Sequence, residues 1–305
     1  MKRNKMISLI AAMGTVGAIG CGGDSGSGEV TKVDGDQTSQ FVATKLTLPK
    51  NATTAAFDLN GDGTADNRLG NIIQAVTALN LDPQSAADTS VMTGALILLI
   101  GETSTDATGQ EAKNAGTKVT LGLKPATAPK FDGTDTFTVD TSTQAAQFYG
   151  NITAGVFTSN NPATTKNPVT LTIALPLVEG QPALKLPVTA GHLTFKRGTD
   201  GKITGGQLNG AIKKEDVDGV IIPAVAGLIT AQLQAPMPSA SLKMFDTNMD
   251  GTVSADEIKN NALIANFLAP DVQIFQGGVY SPNPQNAMKD SLSLGLSFEA
   301  VGAHY

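Results

Sequence analysis

The sequence predicts a mainly β fold with a few helices (α+β), built as an antiparallel β-sandwich or a curved sheet with one helix–loop–helix insertion. Three observations lead there. Short segments rich in β-branched and other apolar residues recur along the chain, each bounded by Gly, Pro, Asn or Asp. Many alternate apolar and polar residues, as a strand with one buried face does. Helical periodicity is confined to three places, so few strands are separated by helices and a parallel α/β architecture is disfavoured.

The chain opens with basic Lys2, Arg3 and Lys5, runs through an apolar stretch over residues 6–20, and reaches its single cysteine, Cys21, after small residues. This is the three-part plan of a secretory signal. The stretch is shorter than the roughly 18 residues expected of a bilayer span, and no later segment is expected to qualify. Ala18-Ile19-Gly20-Cys21 resembles the lipobox of bacterial lipoproteins, with Ala18 where that family usually carries Leu. The resemblance implies cleavage before Cys21, lipidation of its sulfur, and a membrane reached through a lipid anchor. Several acyl chains on one terminus anchor stably, at about 0.8 kcal/mol per buried methylene. Inner-membrane lipoproteins tend to carry Asp at the position of Gly22, so Gly implies the outer membrane, on its periplasmic or surface face.

Residues 1–20 are therefore expected as signal peptide. Residues 21–40, which begin with the Gly/Ser run 22–28, are expected as a flexible tether. Residues 41–305 are expected as the β-rich domain. Gly23-Asp24-Ser25-Gly26-Ser27 resembles the nucleophile segment of chymotrypsin-type proteases. Such a serine needs a folded surround and an adjacent histidine, and His192 and His304 lie far downstream.

At 305 residues and 41% hydrophobic the chain can bury a substantial core. Aromatics are only 5% and Trp is absent, which leaves that core to Val, Leu, Ile and Ala. The net charge is −6, and loss of the three N-terminal cations would leave about −9. Nucleic acid is excluded as a partner on that balance.

Strands are expected at 42–48, 95–101, 118–123, 136–139, 152–157, 169–175, 183–188, 192–196, 206–212 and 291–301. In the last, Leu292, Leu294, Leu296 and Phe298 share one face. Helices are expected where Leu69, Ile72, Ile73, Val76 and Leu79 form a stripe, at 217–233 with Pro223 in or before it, and at 258–268. Two of the three follow an acidic loop directly.

The stronger loop reads Asp246-Thr247-Asn248-Met249-Asp250-Gly251-Thr252-Val253-Ser254-Ala255-Asp256-Glu257. Asp246, Asn248 and Asp250 place side-chain oxygens at alternate positions, where a tight turn aims all three inward. Gly251 permits the turn, Thr252 offers its carbonyl, and Ser254 stands ninth. Glu257 closes the site with two oxygens, and Val253 is apolar at the eighth position. The pattern resembles the EF-hand, which implies calcium as the ligand and an EF-hand-like insertion flanked by apolar helical faces: Leu242 and Phe245 before, Ile258, Ala262 and Ala265 after. Pro236 and Pro238 predict a short entering helix.

The second loop, residues 58–69, keeps Asp58, Asn60, Asp62 and Asp66 at the first, third, fifth and ninth positions, Gly63 at the sixth, and the Thr64 carbonyl at the seventh. Leu69 stands where the bidentate Glu belongs. It resembles the DxNxDGxxD calcium loops of integrin-type propellers and thrombospondin type 3 repeats, in which a ninth-position Asp replaces that Glu. Calcium is implied with weaker affinity, the five protein oxygens falling short of the six to eight the ion takes. Paired EF-hands touch through their eighth positions, here Ala65 and Val253. The wide separation of the two loops predicts two independent sites.

Lone loops of this kind are structural. At about 1 mM calcium and a dissociation constant of about 0.1 mM, one site adds about 1.4 kcal/mol, a staple and not a switch. His192 reads as a structural strand residue, since no second His or Cys stands at ligand spacing. Asp216 and Asp218 read as helix-start residues, and Gly205, Gly206 and Gly210 lack a phosphate-loop context.

Two functional classes follow. One is a non-catalytic, calcium-stabilised lipoprotein whose domain binds a glycan, lipid or protein. The other is a calcium-dependent cell-surface hydrolase. No nucleophile or base constellation is recognisable, which favours the first. The layout also resembles EF-hand lipoproteins of Gram-negative bacteria.

Overall fold

Alternation along the strands closes into a barrel. The computed structural model describes residues 29–305 apart from 79–80, 180, 182 and 236–239. The expected signal segment, Cys21, the Gly/Ser run, Leu79, Pro236 and Pro238 lie outside the described residues. The strands are β1 (Gln37–Thr47), β2 (Ile97–Ser104), β3 (Ala112–Gly122), β4 (Ala146–Thr153), β5 (Val156–Ser159), β6 (Leu171–Leu175), β7 (Leu184–Arg197), β8 (Ile203–Lys213), β9 (Phe275–Gln276), β10 (Val279–Tyr280) and β11 (Ser291–Gly302). The main sheet runs β5-β4-β3-β2-β1-β11-β8-β7-β6, and β5 also pairs with β7. That last pairing sets Val156, Phe157 and Thr158 against Lys196, Phe195 and Thr194 and closes eight strands into a ring. β6 lies along the first half of β7.

Of the two architectures expected, the β-sandwich is not what forms: the main sheet curves until β5 meets β7, and β9 and β10 pair as a separate two-stranded sheet. Inward and outward residues alternate identically in either arrangement. Closure rests on the four-residue β5. Local corrections have local causes. Residues 152–157 are not one strand, because Ala154 and Gly155 turn the chain at positive φ (50° and 75°). Segments 183–188 and 192–196 are one strand, with a register shift between Thr189 and His192. Residues 136–139 form only isolated bridges, to Gly122 and His304.

An eight-stranded barrel is just wide enough for side chains to fill. Phe41, Ile100, Phe148, Phe157, Phe195, Leu208, Leu296 and Phe298 are buried in one continuous core. Phe157 and Phe195 stack with centroids 5.2 Å apart. Where β2 and β7 end, Arg197 Nη1 meets the buried Glu102 Oε1 at 2.9 Å, and the guanidinium stands 5.6 Å from the centre of the Phe41 ring. Burial raises the Glu102 pKa, against the pull of Arg197.

Helices occupy two connections. α1 (Arg68–Ala78) and α2 (Pro83–Met92) join β1 to β2. Between β8 and β11 come α3 (Lys214–Asp216), a π-helical turn (Val217–Ile221), α4 (Ile222–Leu233), a 3-10 turn (Ala240–Met244), α5 (Ala255–Asn260) and α6 (Ala262–Phe267). Because β1 and β8 both run antiparallel to β11, the two connections leave the barrel at the same end. There Leu69, Ile72, Ile73, Val76, Val225, Ala226, Ile229, Ile258 and Ile264 join the barrel core.

Two further expectations are corrected here. The continuous helix Lys214–Leu233 is long and apolar enough to cross a membrane by length and composition. It buries Val217, Ile221, Ile222, Val225, Ala226 and Ile229 on one side, as a core-facing helix does. The helix expected at 258–268 is two, because Asn261 adopts an extended backbone (ψ 111°) and caps α6 through the N–H groups of Leu263 and Ile264.

The fold also begins before residue 41. Of the stretch 21–40, residues 29–40 are described, and β1 starts at Gln37. Val30 is buried. Its N–H donates to Asn160 Oδ1 (3.2 Å), and Asn160 Nδ2 donates to its carbonyl (2.6 Å). Further along this strap, the Asp34 N–H bonds the Asn114 carbonyl.

Candidate metal centres

Loop 246–257 is wound on its own oxygens. Asp246 accepts from the Asp250 N–H (3.1 Å) and the Gly251 N–H (2.9 Å). Asn248 Oδ1 accepts from the Asp250 N–H at 3.0 Å. Asp250 Oδ1 accepts from the Thr252 N–H (2.8 Å) and hydroxyl (2.6 Å), and this hydroxyl bond is the main cause of its lowered pKa. Gly251 sits at φ +81° and Met249 at φ +60°. The glycine is there because only a residue without Cβ takes that turn freely.

Glu257 spans the loop. One oxygen accepts from the N–H (2.8 Å) and hydroxyl (2.9 Å) of Thr247 and from the Asn248 N–H (3.2 Å). The other accepts from the N–H (2.8 Å) and hydroxyl (3.0 Å) of Ser254. Ser254 in turn accepts from the Glu257 N–H, which completes a capping box at the start of α5. These donors, led by the Ser254 backbone, hold the carboxyl down to about 2. The loop is pinned to α4: Thr230 Oγ1 accepts from the Val253 N–H at 2.8 Å. Phe245, Val253 and Ile258 carry its base into the core.

A carboxylate oxygen has two lone-pair directions, so one accepted N–H leaves the other for a cation. Asp246, Asn248, Asp250, the Thr252 carbonyl, Ser254 and Glu257 are hard oxygen donors, which suits calcium. Glu257 would have to exchange its present donors for the ion. The helix entering the loop is the short 3-10 turn, and the helix leaving it has six residues.

Loop 58–69 winds similarly and docks on the outer wall of the barrel. Asp58 accepts from the N–H groups of Gly61 (2.7 Å), Asp62 (3.1 Å) and Gly63 (2.9 Å). Asp62 Oδ1 accepts from the Thr64 N–H at 2.8 Å. Asp66 pairs its backbone with Phe57, and Leu59 packs with Ala190, Ala211, Val272 and Ile274. Burial, then the carboxylates of Asp271 and Asp62, raise the Asp66 pKa to about 6. Thr64 and Ala65 are exposed.

Residues that the sequence did not single out close over this loop. Asp62 Oδ2 accepts from Asn60 Nδ2 (3.3 Å) and from Asn286 Nδ2 (3.2 Å). Asn60 Nδ2 also donates to the Asn283 carbonyl (3.2 Å), and Asn286 Nδ2 to the Asp271 carbonyl (3.3 Å). The buried atoms Asn60 Oδ1, Asp66 Oδ2 and Asn286 Oδ1 have no hydrogen-bond partner. Only the turn chemistry of Pro282, Asn283, Pro284 and Asn286 marks that segment in the sequence.

The loops remain separate. The eighth-position Val253 bonds α4 and Ala65 is exposed, so the two do not pair. Among the described residues no three His, Cys, Asp or Glu side chains form a metal-holding group. In both loops Asn, Gly and Thr separate the acids, and Asp58, Asp246 and Glu257 accept from backbone N–H groups. His192 is buried and stacked on Phe57 with centroids 3.8 Å apart. Its Nδ1 has no partner, and burial lowers its pKa to about 4.

A family model described as EF hand matches residues 240–262, which contain the whole of loop 246–257. No curated protein and no solved structure matches the chain.

Proposed function

We propose that this chain is an exported lipoprotein, anchored to the outer membrane through Cys21, whose barrel domain is stapled by calcium and binds a glycan, lipid or protein partner through its outer surface. Calcium binding is carried by one observation: loop 246–257 turns its oxygens inward on its own N–H groups, in the segment that the EF-hand family model matches. Three features support a structural ion over a sensor. The exit helix is six residues long, Asn261 breaks it from α6, and Val253 is bonded to α4. A sensor swings a helix pair open on binding, and this loop has no long lever to swing. An outer-surface partner is favoured because aromatic and aliphatic side chains fill the barrel interior.

Calorimetric and thermal-shift titration of calcium into the full chain tests the reading. Calcium should raise the melting temperature of the parent, and Glu257→Gln should remove most of that rise. A parent that neither binds calcium nor shifts would end the proposal. Lipidation is tested separately by labelling with a palmitate analogue, which should mark the parent and leave Cys21→Ala unmarked.

A further inference from the structure

Loop 58–69 lacks the twelfth-position carboxylate that closes an EF-hand, because Leu69 points into the helix core instead. A cation held by this loop alone would lack ligands on that side. Segment 271–290 folds back over the loop, and its Asn286, at φ +51°, brings a side-chain amide to Asp62. Asparagine tolerates that left-handed backbone better than most residues. The turn is set by Asn283, which accepts from the N–H groups of Gln285 (2.9 Å) and Asn286 (3.1 Å).

The polar count around Asp62 Oδ2 is one-sided. Two amide groups donate to this one oxygen, and each leaves its own Oδ1 buried without a donor. Asn60 is only 1% exposed, so water does not freely satisfy that oxygen. Asp66 Oδ2 is a third orphan beside them. A buried acceptor left without a partner is destabilising, and three gathered by one carboxylate-rich loop suit a species that accepts only lone pairs. A divalent cation is such a species; the amide nitrogens now face Asp62, so its entry would turn both amides over, exchanging their bonds to Asp62 and to the Asn283 and Asp271 carbonyls for oxygens aimed at the ion.

We propose that the second cation site is built jointly by loop 58–69 and segment 271–290, with the side-chain oxygen of Asn286 supplying the ligand that Leu69 cannot. The inference rests on the reading of this chain as a calcium binder and adds a ligand from more than 200 residues away. Asp58, Asn60, Asp62, the Thr64 carbonyl, Asp66 and Asn286 then offer six oxygens, the lower bound for calcium. Binding would also tie segment 271–290 to the loop.

Calcium titration by calorimetry into the full chain carrying Glu257→Gln, which disables loop 246–257, isolates this site. One residual site is expected. Asn286→Ala in that background should weaken it about tenfold or more, and Asn286→Asp, which supplies a charged oxygen at the same place, should restore or tighten it. Thermal unfolding without calcium verifies that each variant is folded. No residual site in the Glu257→Gln chain, with the parent still binding one calcium, overturns the joint site and spares the loop at 246–257. Unchanged affinity in both folded Asn286 variants overturns the role of Asn286. A parent that binds no calcium overturns both readings together.

Discussion

The side-chain amide of Asn67 pairs with the backbone of Gly295 as one peptide pairs with another in a sheet. Asn67 Nδ2 donates to the Gly295 carbonyl (2.9 Å) and Asn67 Oδ1 accepts from the Gly295 N–H (3.0 Å). Next to it, the Arg68 N–H bonds Ser293 Oγ at 2.9 Å, so β11 caps the start of α1. The clasp requires that Gly295 have no side chain, since a Cβ would stand 2.0 Å from the Ala55 carbonyl oxygen.

Asn67→Ala is expected to destabilise the fold by about 3 kcal/mol, because it leaves two buried backbone groups unpaired. Gly295→Ala should cost at least about 2 kcal/mol by forcing loop 51–56 off the barrel. Urea unfolding measures both. The double variant should cost less than the sum of the two, since each breaks the same contact.

The contribution of His192 to stability should fall as pH drops from about 6.5 to about 4, against the opposite contribution of Asp66, whose raised pKa favours the fold as pH falls. His192 is buried neutral with its pKa lowered to about 4, while in the unfolded chain it titrates near 6.5. Between those values the unfolded state holds the extra proton, so stability rises with pH, by about 3 kcal/mol in all. Below about 4 both states are protonated and this contribution no longer changes. His192→Phe, which keeps a flat ring against Phe57, should flatten that part of the curve in urea unfolding from pH 4 to pH 7.

Arg197→Met should cost about 3–5 kcal/mol at neutral pH, because Glu102 would remain buried without its partner. The penalty should shrink in acid. Burial already raises the Glu102 pKa, and without Arg197 the carboxyl takes a proton more readily. Thermal unfolding of parent and variant at neutral and acidic pH checks the sign.

Thr230→Val keeps the shape of α4 and removes the acceptor for the Val253 N–H. The expected loss is about 1 kcal/mol, which, if spent wholly on loop order, lowers calcium affinity at 246–257 about fivefold. Calcium titration of the variant decides whether α4 holds the loop ready.

These contacts divide what the sequence discloses from what it withholds. Loop 246–257 is legible because its ligands are contiguous and each residue type has a local reason. The strand at β11 is legible because Leu292, Leu294, Leu296 and Phe298 alternate. Barrel closure is not, because it depends on β5 meeting β7. Nor are Asn67 against Gly295 or Asn286 against Asp62, where a common polar residue gains its meaning from a segment more than 200 positions away. The break at Asn261 was hidden by an apolar pattern that continues through it.

The clasp between Val30 and Asn160 has a mechanical consequence. A chain held from its amino end carries tension along the strap before it reaches β1. β1 is bonded along both edges, to β2 and β11, and resists shear as a unit. The strap is held at a few separate points, beginning with Glu29, whose carboxylate accepts from the Thr165 hydroxyl and the Lys166 N–H, and with the two bonds at Val30. Under load those bonds part first, and each residue peeled away lengthens the leash by about 3.4 Å while the barrel stays closed. If the chain is held through Cys21, as proposed, residues 29–36 are the part of the described fold that yields before β1 feels the pull.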